Sequence, residues 1–584
     1  MQRIFTADFE TTTDPNDCRV WAYAICEVGD TDNFIYGNNI DDFMEFCANP
    51  KQNYKVLFHN LKFDGDFILN WLLKNGFDYI QNKKERHDRS FTTLITDMGA
   101  FYAIEVYFTA KKRGKVNKVV FQDSLKLLNF SVDEIAKSFD LPIRKLTLDY
   151  DAKREIGHEL TLHEIDYIRN DVEIMARAME IMYDRKMNKM TIGACALDSF
   201  KKMCKGFSKY FPQLSIEVDA DIRKSYKGGF TYLSPKYREK ETGAGLVLDI
   251  NSMYPAMMTQ RELPYGLPEP FEGKYEHDGC YPLYVQKFTC IFDLKPDKIP
   301  SIQLKNNVSF IPNEYLESSN GEIVSMTLTN PDLELFFEQY NVEVVSWDGG
   351  WKFKKMKGLF TSYINYWTEQ KIKAKQEGNR PQYLLSKLML NNLYGKLATN
   401  PRGRQKRPVL DINGNTTYAF LEPEERKPLY IPAATFITSY ARKYIIETSQ
   451  LIRDWSEKHK GFDAYCYSDT DSIHTLLDDD DLAALGELID IDPYRLGAWD
   501  CEAHFTRGKY LRQKCYIEEI DGEIHSTIAG LPKKLAPLIT FDNFRLGFST
   551  EELDKEEVKK YGSKLRYKHV EGGVVLVPTE FTIK

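Results

Sequence analysis

Four carboxylates in the N-terminal part of the chain have the spacing of a metal site. Asp8 and Glu10 alternate along a predicted strand at residues 4–9, so both side chains project from one face. Asp64 follows a second predicted strand, and Asp171 lies on a later predicted helix. Together these four side chains could hold two divalent cations about 4 Å apart, an arrangement that hydrolyses phosphodiesters.

The helix that carries Asp171 has its own start signal. Thr161 and Glu164 form the pattern of a capping box, which predicts that the helix begins there. Tyr167 precedes Asp171 by one turn and shares its face, where it could orient an attacking water. Because a single acidic residue is most often an exposed surface group, the prediction depends on the combination.

A second carboxylate set lies in the central and later parts of the chain. Asp249 ends a predicted buried strand at residues 245–250. Asp469 and Asp471 occupy a short polar turn between apolar runs, which predicts a hairpin with both at its tip. Adjacent like charges are mutually unfavourable unless a cation neutralises them, so the pattern favours a metal site over a chance acidic turn.

Residues 361–393 are predicted to form two helices separated near Gly378. Lys387, Asn391 and Tyr394 lie on one face of the second helix. A cation, an amide and an aromatic ring in one stripe suit a triphosphate and a base-pair edge. The same stripe could also be an ordinary polar exposed face. The sequence has no Walker A motif, so a triphosphate would have to be held by metal and such cations.

The composition bounds the class of protein. The chain has 584 residues, which is too long for one hydrophobic core and predicts several domains. A net charge of -8 leaves nucleic acid binding open, because a local basic channel can exist in an acidic chain. Ten cysteines without a C-x-x-C pair argue against a zinc ribbon. No signal peptide or membrane span is evident, so we expect a cytoplasmic protein that does not enter the membrane.

Charged clusters punctuate the chain. Each basic cluster taken alone is a solvated face, but several clusters interleaved with aromatic residues make a segmented phosphate-binding path more plausible. The acidic run 478–481 is expected to be an exposed loop, and the chain from residue 400 to 415 a basic hairpin. The four basic clusters lie at residues 111–118, 352–357, 371–375 and 402–407.

The N-terminal motifs form a recognisable set. Asp-Phe-Glu-Thr from Asp8, Asn-x-x-x-Asp ending at Asp64 and Tyr-x-x-x-Asp ending at Asp171 resemble the proofreading 3′–5′ exonuclease of DNA polymerases. The resemblance implies that Lys145 assists the leaving oxygen. It also implies a single-stranded DNA channel lined by Thr11, His59, Asn60, Phe63, Ser124, Leu125 and Tyr150.

The later motifs extend this resemblance over nearly the whole chain. Asp-x-x-Ser-x-Tyr-Pro from Asp249, Lys-x6-Tyr-Gly from Lys387 and Tyr-x-Asp-Thr-Asp-Ser from Tyr467 occur in the order of family B DNA polymerases. Tyr-Lys-Gly-Gly-Phe from Tyr226 and Lys-Cys-Tyr from Lys514 are similar to the protein-primed branch, and closely to the phi29 group of Bacillus phages.

The resemblance implies template-directed nucleotidyl transfer with two Mg²⁺ ions in each active site, for which Mn²⁺ can substitute. In the polymerase site, Asp249, the Ile250 carbonyl and Asp471 would hold the ions, with Asp469 alongside. The nucleotide would be bound by Lys371, Lys387, Asn391, Tyr394 and Tyr254, the last of which would exclude a 2′-hydroxyl. The primer-template would contact Tyr226, Gly228, Gly229, Ser252, Gly395, Thr470, Lys514 and Tyr516.

The implied fold is a multidomain chain of α/β and α+β type, with a ribonuclease H-like exonuclease followed by a right-hand polymerase. The first insertion would contact a terminal protein primer, and the second would help close a ring around DNA, giving processivity and strand displacement. A monomer working with this one partner is expected. The implied boundaries are exonuclease 1–189, palm 190–301 and 428–540, first insertion 302–358, fingers 359–399, second insertion 400–427 and thumb 541–584.

Two residues depart from this group. Asn392 replaces the usual Ser, which affects the expected template contact, and Asp66 adds a carboxylate where a small residue is usual, which affects the expected metal preference. Three other functions remain open: a DNA-primed repair polymerase, a nuclease whose second half only binds DNA, and a non-catalytic nucleic-acid-binding protein. Two intact carboxylate sets argue against the last two.

Overall fold

The computed structural model describes residues 2–49, 52–110, 116–150, 152–305, 309–311 and 314–584. Residues 111–115 of the predicted basic cluster therefore lie outside the described residues. The chain has mixed α and β content. No helix within the described ranges is both long enough and apolar enough to cross a bilayer.

The N-terminal part forms a sheet of eight strands, here called the large sheet. Strand Arg3–Thr11 runs antiparallel to Val20–Glu27 and parallel to Tyr54–Phe58, so its last residues and the segment after Phe58 meet at one edge. In spatial order the strands are Asp30–Gly37, Val20–Glu27, Arg3–Thr11, Tyr54–Phe58, Val116–Asp123, Phe101–Ala110, Ser90–Ile95 and Asp78–Tyr79.

Helices cover both faces of the large sheet. Phe5 and Phe9 pack in one core with helices Ile40–Cys47 and Leu61–Lys74. The alternate residues face helix Leu162–Asp184, and the Thr6 hydroxyl donates to the Val172 carbonyl at 2.7 Å. Strand alternation therefore turns Asp8 and Glu10 toward the helix that carries Asp171.

A five-stranded antiparallel sheet, here called the central sheet, carries the second carboxylate set. Helix Ile431–Lys460 packs against this sheet, and helix Met253–Gln260 follows its second strand. The strand order is Trp499–Phe505, Gly245–Ile250, Ser472–Thr475, Tyr465–Asp469 and Thr231–Leu233.

A separate four-stranded sheet, here called the outer sheet, occupies much of residues 262–357. Its strand order is Glu262–Phe271, Tyr340–Lys357, Leu283–Leu294 and Val324–Thr329, and helix Asn330–Gln339 packs on it. The boundary expected at residue 302 falls inside this sheet, because the strands before and after that position pair with each other.

The predicted helix pair and basic hairpin both form. Helices Thr361–Gln376 and Arg380–Leu397 are separated at Gly378, whose φ of +66° is a conformation that glycine adopts without strain. The hairpin, here named hairpin 402–425, pairs Lys406–Leu410 with Thr416–Phe420 and, below them, Arg402–Gly403 with Glu424–Glu425.

The acidic run 478–481 was expected to be a loop, and this was wrong. Asp478 caps helix Asp479–Leu485 in a capping box with Asp481, and Lys460 forms ion pairs with Asp478 and Asp481. Acidic residues in a first helical turn are favoured by the helix dipole, so the run begins a helix.

The remaining elements complete the second half and its connections. Strands Lys564–Val570 and Gly573–Thr579 pair to form the terminal hairpin, and a fourth sheet takes in Glu241–Thr242, Arg507–Arg512, Cys515–Ile520 and Glu523–Ile528. The other helices are Val132–Ser138, Ile192–Met203, Phe207–Tyr210, Ile216–Arg223 and Lys555–Tyr561, with short 3-10 turns at Lys83–Glu85, Ser124–Lys126, Pro235–Tyr237, Lys533–Leu538 and Thr550–Glu552.

Candidate active sites

The structure brings the N-terminal carboxylates together. Asp8, Glu10 and Asp171 each offer a ligand atom, and these atoms all lie within 4.8 Å of one another. Asp64 lies beside them, where its Oδ1 accepts a hydrogen bond from the Phe9 backbone N–H at 3.2 Å. The predicted capping box of Thr161 with Glu164, which opens the helix carrying Asp171, is confirmed.

The electrostatics of this N-terminal site fit a divalent cation. Burial, and then the charge of Asp171, raises the pKa of Asp8 to about 7. Burial and neighbouring carboxylates likewise raise the pKa values of Glu10 and Asp64. Asp171 Oδ1 is buried with no hydrogen-bond partner among the described residues. Crowded, undersatisfied carboxylate oxygens are the donor set that Mg²⁺ and Mn²⁺ prefer.

Two groups predicted to assist at this site contact it directly. Lys145 Nζ lies 2.5 Å from Asp171 Oδ2. Burial works against the charge of Lys145, yet Asp171 raises its pKa overall. The hydroxyl groups of Tyr167 and Tyr150 are hydrogen-bonded at 2.6 Å, so the half-exposed Tyr150 orients the buried Tyr167.

The residues predicted to line a channel have different surroundings. His59 is engaged within the protein: its Nε2 donates to the Phe130 carbonyl at 2.7 Å, and its Nδ1 lies 3.1 Å from Ser124 Oγ. Asn60 has a left-handed φ of 79°, and its side chain donates to the Tyr567 hydroxyl. Thr11, Phe63 and Leu125 are half-buried at the same edge of the large sheet.

The second carboxylate set meets at the end of the central sheet. The predicted hairpin is confirmed: Asp469 pairs with Ser472, and Thr470 has a φ of 67° in the turn between them. The Ile250 backbone N–H donates to the Asp471 carbonyl at 2.9 Å, which places Asp471 next to Asp249. Burial, and then the charge of Asp471, raises the pKa of Asp249 to about 7.

Two further carboxylates, which the sequence analysis did not predict, lie at this second site. Asp500 lies directly opposite Asp249 on strand Trp499–Phe505, and both Asp500 and Glu502 contribute to the raised pKa of Asp249. The alternation of Asp500 and Glu502 along this strand was the available signal. These crowded, like-charged oxygens are a donor set whose charge a divalent cation would neutralise.

Asp469 differs from Asp249 and Asp471, because a cation neutralises it within the protein. Lys514 Nζ lies 2.5 Å from Asp469 Oδ1. The Lys514 backbone N–H donates to the Tyr467 hydroxyl at 2.8 Å, and Tyr516 packs on the Tyr467 ring at 5.1 Å between centroids. The Lys-x-Tyr element thus contacts the acidic turn with both of its predicted residues.

The segment of Tyr226 to Phe230 also rests on this turn. The Thr470 backbone N–H donates to the Phe230 carbonyl at 2.7 Å, and a side-chain carbon at Gly229 would lie 2.7 Å from Thr470. Only glycine permits this close approach. Arg442 donates to the Gly228 carbonyl at 2.9 Å from the opposite side.

The predicted nucleotide-binding stripe faces the same site. Lys387 and Asn391 are exposed and Tyr394 is half-buried on helix Arg380–Leu397. Lys387 and Lys371 are close enough to affect each other's charge: burial, and then Lys387, lowers the pKa of Lys371. Neither lysine forms an ion pair within the described part of the chain, which leaves both available for an anionic ligand.

The aromatic and small residues of the stripe complete this surface. Tyr254 stacks on Tyr394 with ring centroids 4.0 Å apart. Ser252 has a left-handed φ of 52° just before Tyr254, and Gly395 faces open space. Asn392 turns its amide to the Leu388 carbonyl of its own helix at 2.8 Å.

Comparison with known proteins places this arrangement in a family. The model of the family described as DNA polymerase type B, organellar and viral, matches residues 47–163 and 152–476. The chain belongs to this family. This polymerase is 42% identical to the DNA polymerase of Bacillus phage M2 in an alignment that covers both chains completely. It is 41% identical to that of Bacillus phage phi29, covering 100% of this chain and 99% of the relative.

A more distant relative and a solved structure support the same family assignment. The polymerase is 32% identical to the DNA polymerase of Streptococcus phage Cp-1, covering 100% of this chain and 99% of the relative. Its fold matches the solved ternary complex of phi29 DNA polymerase with primer-template DNA and incoming nucleotide, with a TM-score of 0.90 and 39% identity over all of both chains. The predicted similarity to the phi29 group is confirmed.

Proposed function

We propose that this DNA polymerase copies DNA in a phage-type replication system, combining template-directed synthesis with 3′–5′ proofreading, strand displacement and initiation on a priming protein. One observation carries the proposal: two carboxylate clusters, one buried and one half-buried, lie at separate sheets of one chain, and each is a donor set that suits a divalent cation. The named complex of phi29 polymerase with primer-template and nucleotide supports DNA and deoxynucleoside triphosphates as partners.

At the synthetic site, Asp249, Asp471 and the Ile250 carbonyl would hold Mg²⁺, with Asp469 alongside. Bound cations of this kind activate a hydroxyl and neutralise charge on phosphate. Lys371 and Lys387 bind the triphosphate and balance its charge.

The surrounding side chains position the two substrates. Tyr254, held by Tyr394, packs against the sugar and leaves no room for a 2′-hydroxyl. Lys514 and Tyr516 hold the primer strand, and the segment of Tyr226, Gly228 and Gly229 holds the template next to Thr470. A hydroxyl of a priming protein could occupy the place of the primer end, because the chemistry requires only an activated hydroxyl.

At the degradative site, Asp8, Glu10, Asp64 and Asp171 would hold the cations, again Mg²⁺ or Mn²⁺. Tyr167, oriented by Tyr150, positions the attacking water, and Lys145 stabilises the leaving oxygen. The strand end would reach them past Thr11, Asn60, Phe63 and Leu125, while His59 and Ser124 support that edge from inside.

The domains proposed on this basis follow the sheets. The exonuclease takes in residues 1–189 and the thumb 541–584. Because the outer sheet forms one unit from Glu262 to Lys357, we extend the first insertion to 262–358 and shorten the preceding palm segment to 190–261. Residues 359–399 are the fingers, 400–427 the second insertion and 428–540 the rest of the palm.

Extension of one primer on a circular single-stranded template tests the synthetic half of the proposal. With Mg²⁺, four deoxynucleotides and no accessory protein, products much longer than one circle are expected. Products that stop at one circle would refute strand displacement, and shortening of the primer alone would refute synthesis.

Protein priming needs a separate test, because a DNA-primed repair polymerase would pass the first one. A candidate terminal protein, incubated with the polymerase, labelled deoxynucleotide and Mg²⁺, should become covalently labelled on a hydroxyl residue. No label with an active polymerase would favour the repair enzyme. The proposed setting is the cytoplasm of an infected bacterial cell, with the polymerase otherwise monomeric.

A further inference from the structure

Asp66 is a buried carboxylate that neither active site uses. It lies on helix Leu61–Lys74, and only 1% of its surface is exposed. Its Oδ1 accepts a hydrogen bond from the Tyr418 hydroxyl, and its Oδ2 has no hydrogen-bond partner among the described residues. Burying a carboxylate is costly, so its partners here require an explanation.

The partners of Asp66 come from two distant segments. Tyr418 lies in hairpin 402–425, 352 residues further along the chain. His569 lies in the terminal hairpin, and its Nδ1, which also has no hydrogen-bond partner in the described chain, is 3.8 Å from Asp66 Oδ2. The rings of Tyr418 and His569 meet at 5.8 Å between centroids and 66° between planes.

Helix Leu61–Lys74, hairpin 402–425 and the terminal hairpin make further contacts with one another around Asp66. Asn70 donates to the Gly414 carbonyl and the Thr416 hydroxyl, both at 3.2 Å. Asn415 and Glu571 form an isolated antiparallel bridge between the two hairpins. The contacts between helix Leu61–Lys74 and the terminal hairpin include Lys74 with Glu571 at 2.7 Å and Gly573 against the Phe67 ring.

The base of hairpin 402–425 is fastened to the large sheet as well. Thr96 bridges Gln405, and the Asp97 backbone N–H donates to the Arg404 carbonyl at 2.9 Å. Both contacts at the base are made by backbone groups, and an exposed ion pair such as Lys74 with Glu571 stabilises little. The Asn70–Thr416 bond is buried but joins two neutral groups, whereas the Asp66–Tyr418 bond involves a buried carboxylate. Removing the Tyr418 donor would leave a buried carboxylate oxygen without a partner.

We propose that Asp66 is a positioning residue that fastens hairpin 402–425 and the terminal hairpin to helix Leu61–Lys74, so that the three segments move as one body. This rests on the proposed function and on the ring that the second insertion is expected to help close around DNA during synthesis. When the three segments move as one body, the DNA that they hold is not released between additions. The Asp66 contact therefore controls how many nucleotides are added in each encounter with DNA.

The test compares Tyr418→Phe, Asp66→Ser and the double variant with wild type. The enzyme is first bound to a primed circular single strand, and heparin is then added together with the nucleotides. Heparin captures any enzyme that leaves the DNA, so the product length reports a single encounter. We expect products at least about fivefold shorter in both single variants, and no further shortening in the double variant, because the two residues act as a pair. Insertion at a one-nucleotide gap and degradation of a short single strand should stay within about twofold of wild type, because neither needs a long encounter.

Tyr340→Phe is the matched control. This substitution also removes one buried tyrosine hydroxyl, which donates to the Leu316 carbonyl at 2.9 Å. Tyr340 lies in the outer sheet, away from the three segments that Asp66 joins. The products of this variant should match those of wild type. Wild-type product lengths in Tyr418→Phe and Asp66→Ser would overturn the proposal, as would an equal loss in the control or in gap insertion.

Hydrogen exchange separates the fastening from the proposed function. In Tyr418→Phe, exchange should accelerate in residues 564–579 as well as in 402–425, although the change lies only in the latter. If the wild-type enzyme itself leaves DNA after each addition, the expected ring around DNA is wrong. The exchange result alone then tests whether Asp66 holds the three segments together. Unchanged exchange in 564–579 would overturn it.

Discussion

Tyr254 and Tyr394 stack with their ring centroids 4.0 Å apart and their planes 25° from parallel. The two rings come from different helices, so each restricts the other and together they form a rigid wall beside Asp249 and Asp471. In the proposed function this wall lies against the sugar of the incoming nucleotide.

Replacing Tyr254 with Val should therefore admit ribonucleotides. The preference for deoxynucleotides, measured as a ratio of kcat/KM values, should fall by at least about tenfold, because the wall recedes where a 2′-hydroxyl would lie. Tyr254→Phe keeps the ring and should keep the preference. Unchanged sugar discrimination in the Val variant would refute a steric role.

The two carboxylate sites should be separable by mutation. Asp249→Asn or Asp471→Asn should reduce synthesis by about 1,000-fold or more, because each removes a charged oxygen from the cation site, and should leave degradation of single strands intact. Asp8→Ala combined with Asp64→Ala should have the opposite effect. A single change that removed both activities would contradict the presence of two independent sites.

Divalent cations should stabilise the protein through these same sites. Since burial, and then the charge of neighbouring carboxylates in each site, raises the pKa values of Asp8 and Asp249, a bound cation relieves unfavourable charge in the folded state only. We expect Mg²⁺ to raise the melting temperature of wild type, and excess EDTA to reverse the rise. In a variant carrying Asp8→Ala, Asp64→Ala and Asp249→Asn the rise should be mostly lost, and an undiminished rise would place the cations elsewhere.

Glu105 offers a pH-dependent contribution away from both sites. Burial opposes its charge, but hydrogen bonds from Lys118, Lys83 and Tyr107 lower its pKa to about 2. A depressed pKa in the folded state stabilises the fold above the unfolded value, which is near 4.3, and this contribution is lost as the pH falls toward about 2.

Glu105→Gln should therefore lower the stability by about 1–2 kcal/mol at pH 7, after allowing for the solvent around Lys83. The difference in melting temperature from wild type should be the same at pH 7 and about pH 5.5, and smaller at about pH 3.5. A difference that stayed constant down to the lowest pH would exclude the carboxylate charge as its source.

Local patterns predicted much of the fold. The capping box at Thr161, the break at Gly378 and the hairpin tip at Asp469 each depend on residues close in sequence, and all three are present. The run beginning at Asp478 has a comparable capping pattern, but the helix that follows is short and its apolar signal rests on Leu482 and Leu485 alone, so it read as a loop.

Contacts between distant segments were beyond such patterns. Asp66 stood out as an unusual carboxylate, yet nothing near it in sequence indicates Tyr418 or His569 as neighbours. The extent of the outer sheet was also missed at residue 302, because pairing across an intervening loop leaves no local signal. Asp500 has a local signal in the alternation of acids along its strand, but that signal does not indicate Asp249, which lies on a strand far earlier in the chain, as its partner.

The packing of the terminal hairpin against the large sheet has a consequence for synthesis on the ribosome. Val574 and Val575 belong to the same buried core as Phe5 and Phe67, and 507 residues separate Asn60 from its partner Tyr567. During translation, part of the apolar face of the large sheet therefore stays exposed until the residues of the terminal hairpin have been synthesised. A ribosome that stalls before the terminal hairpin would release an N-terminal unit with an open core, prone to aggregate and to be cleared by proteases.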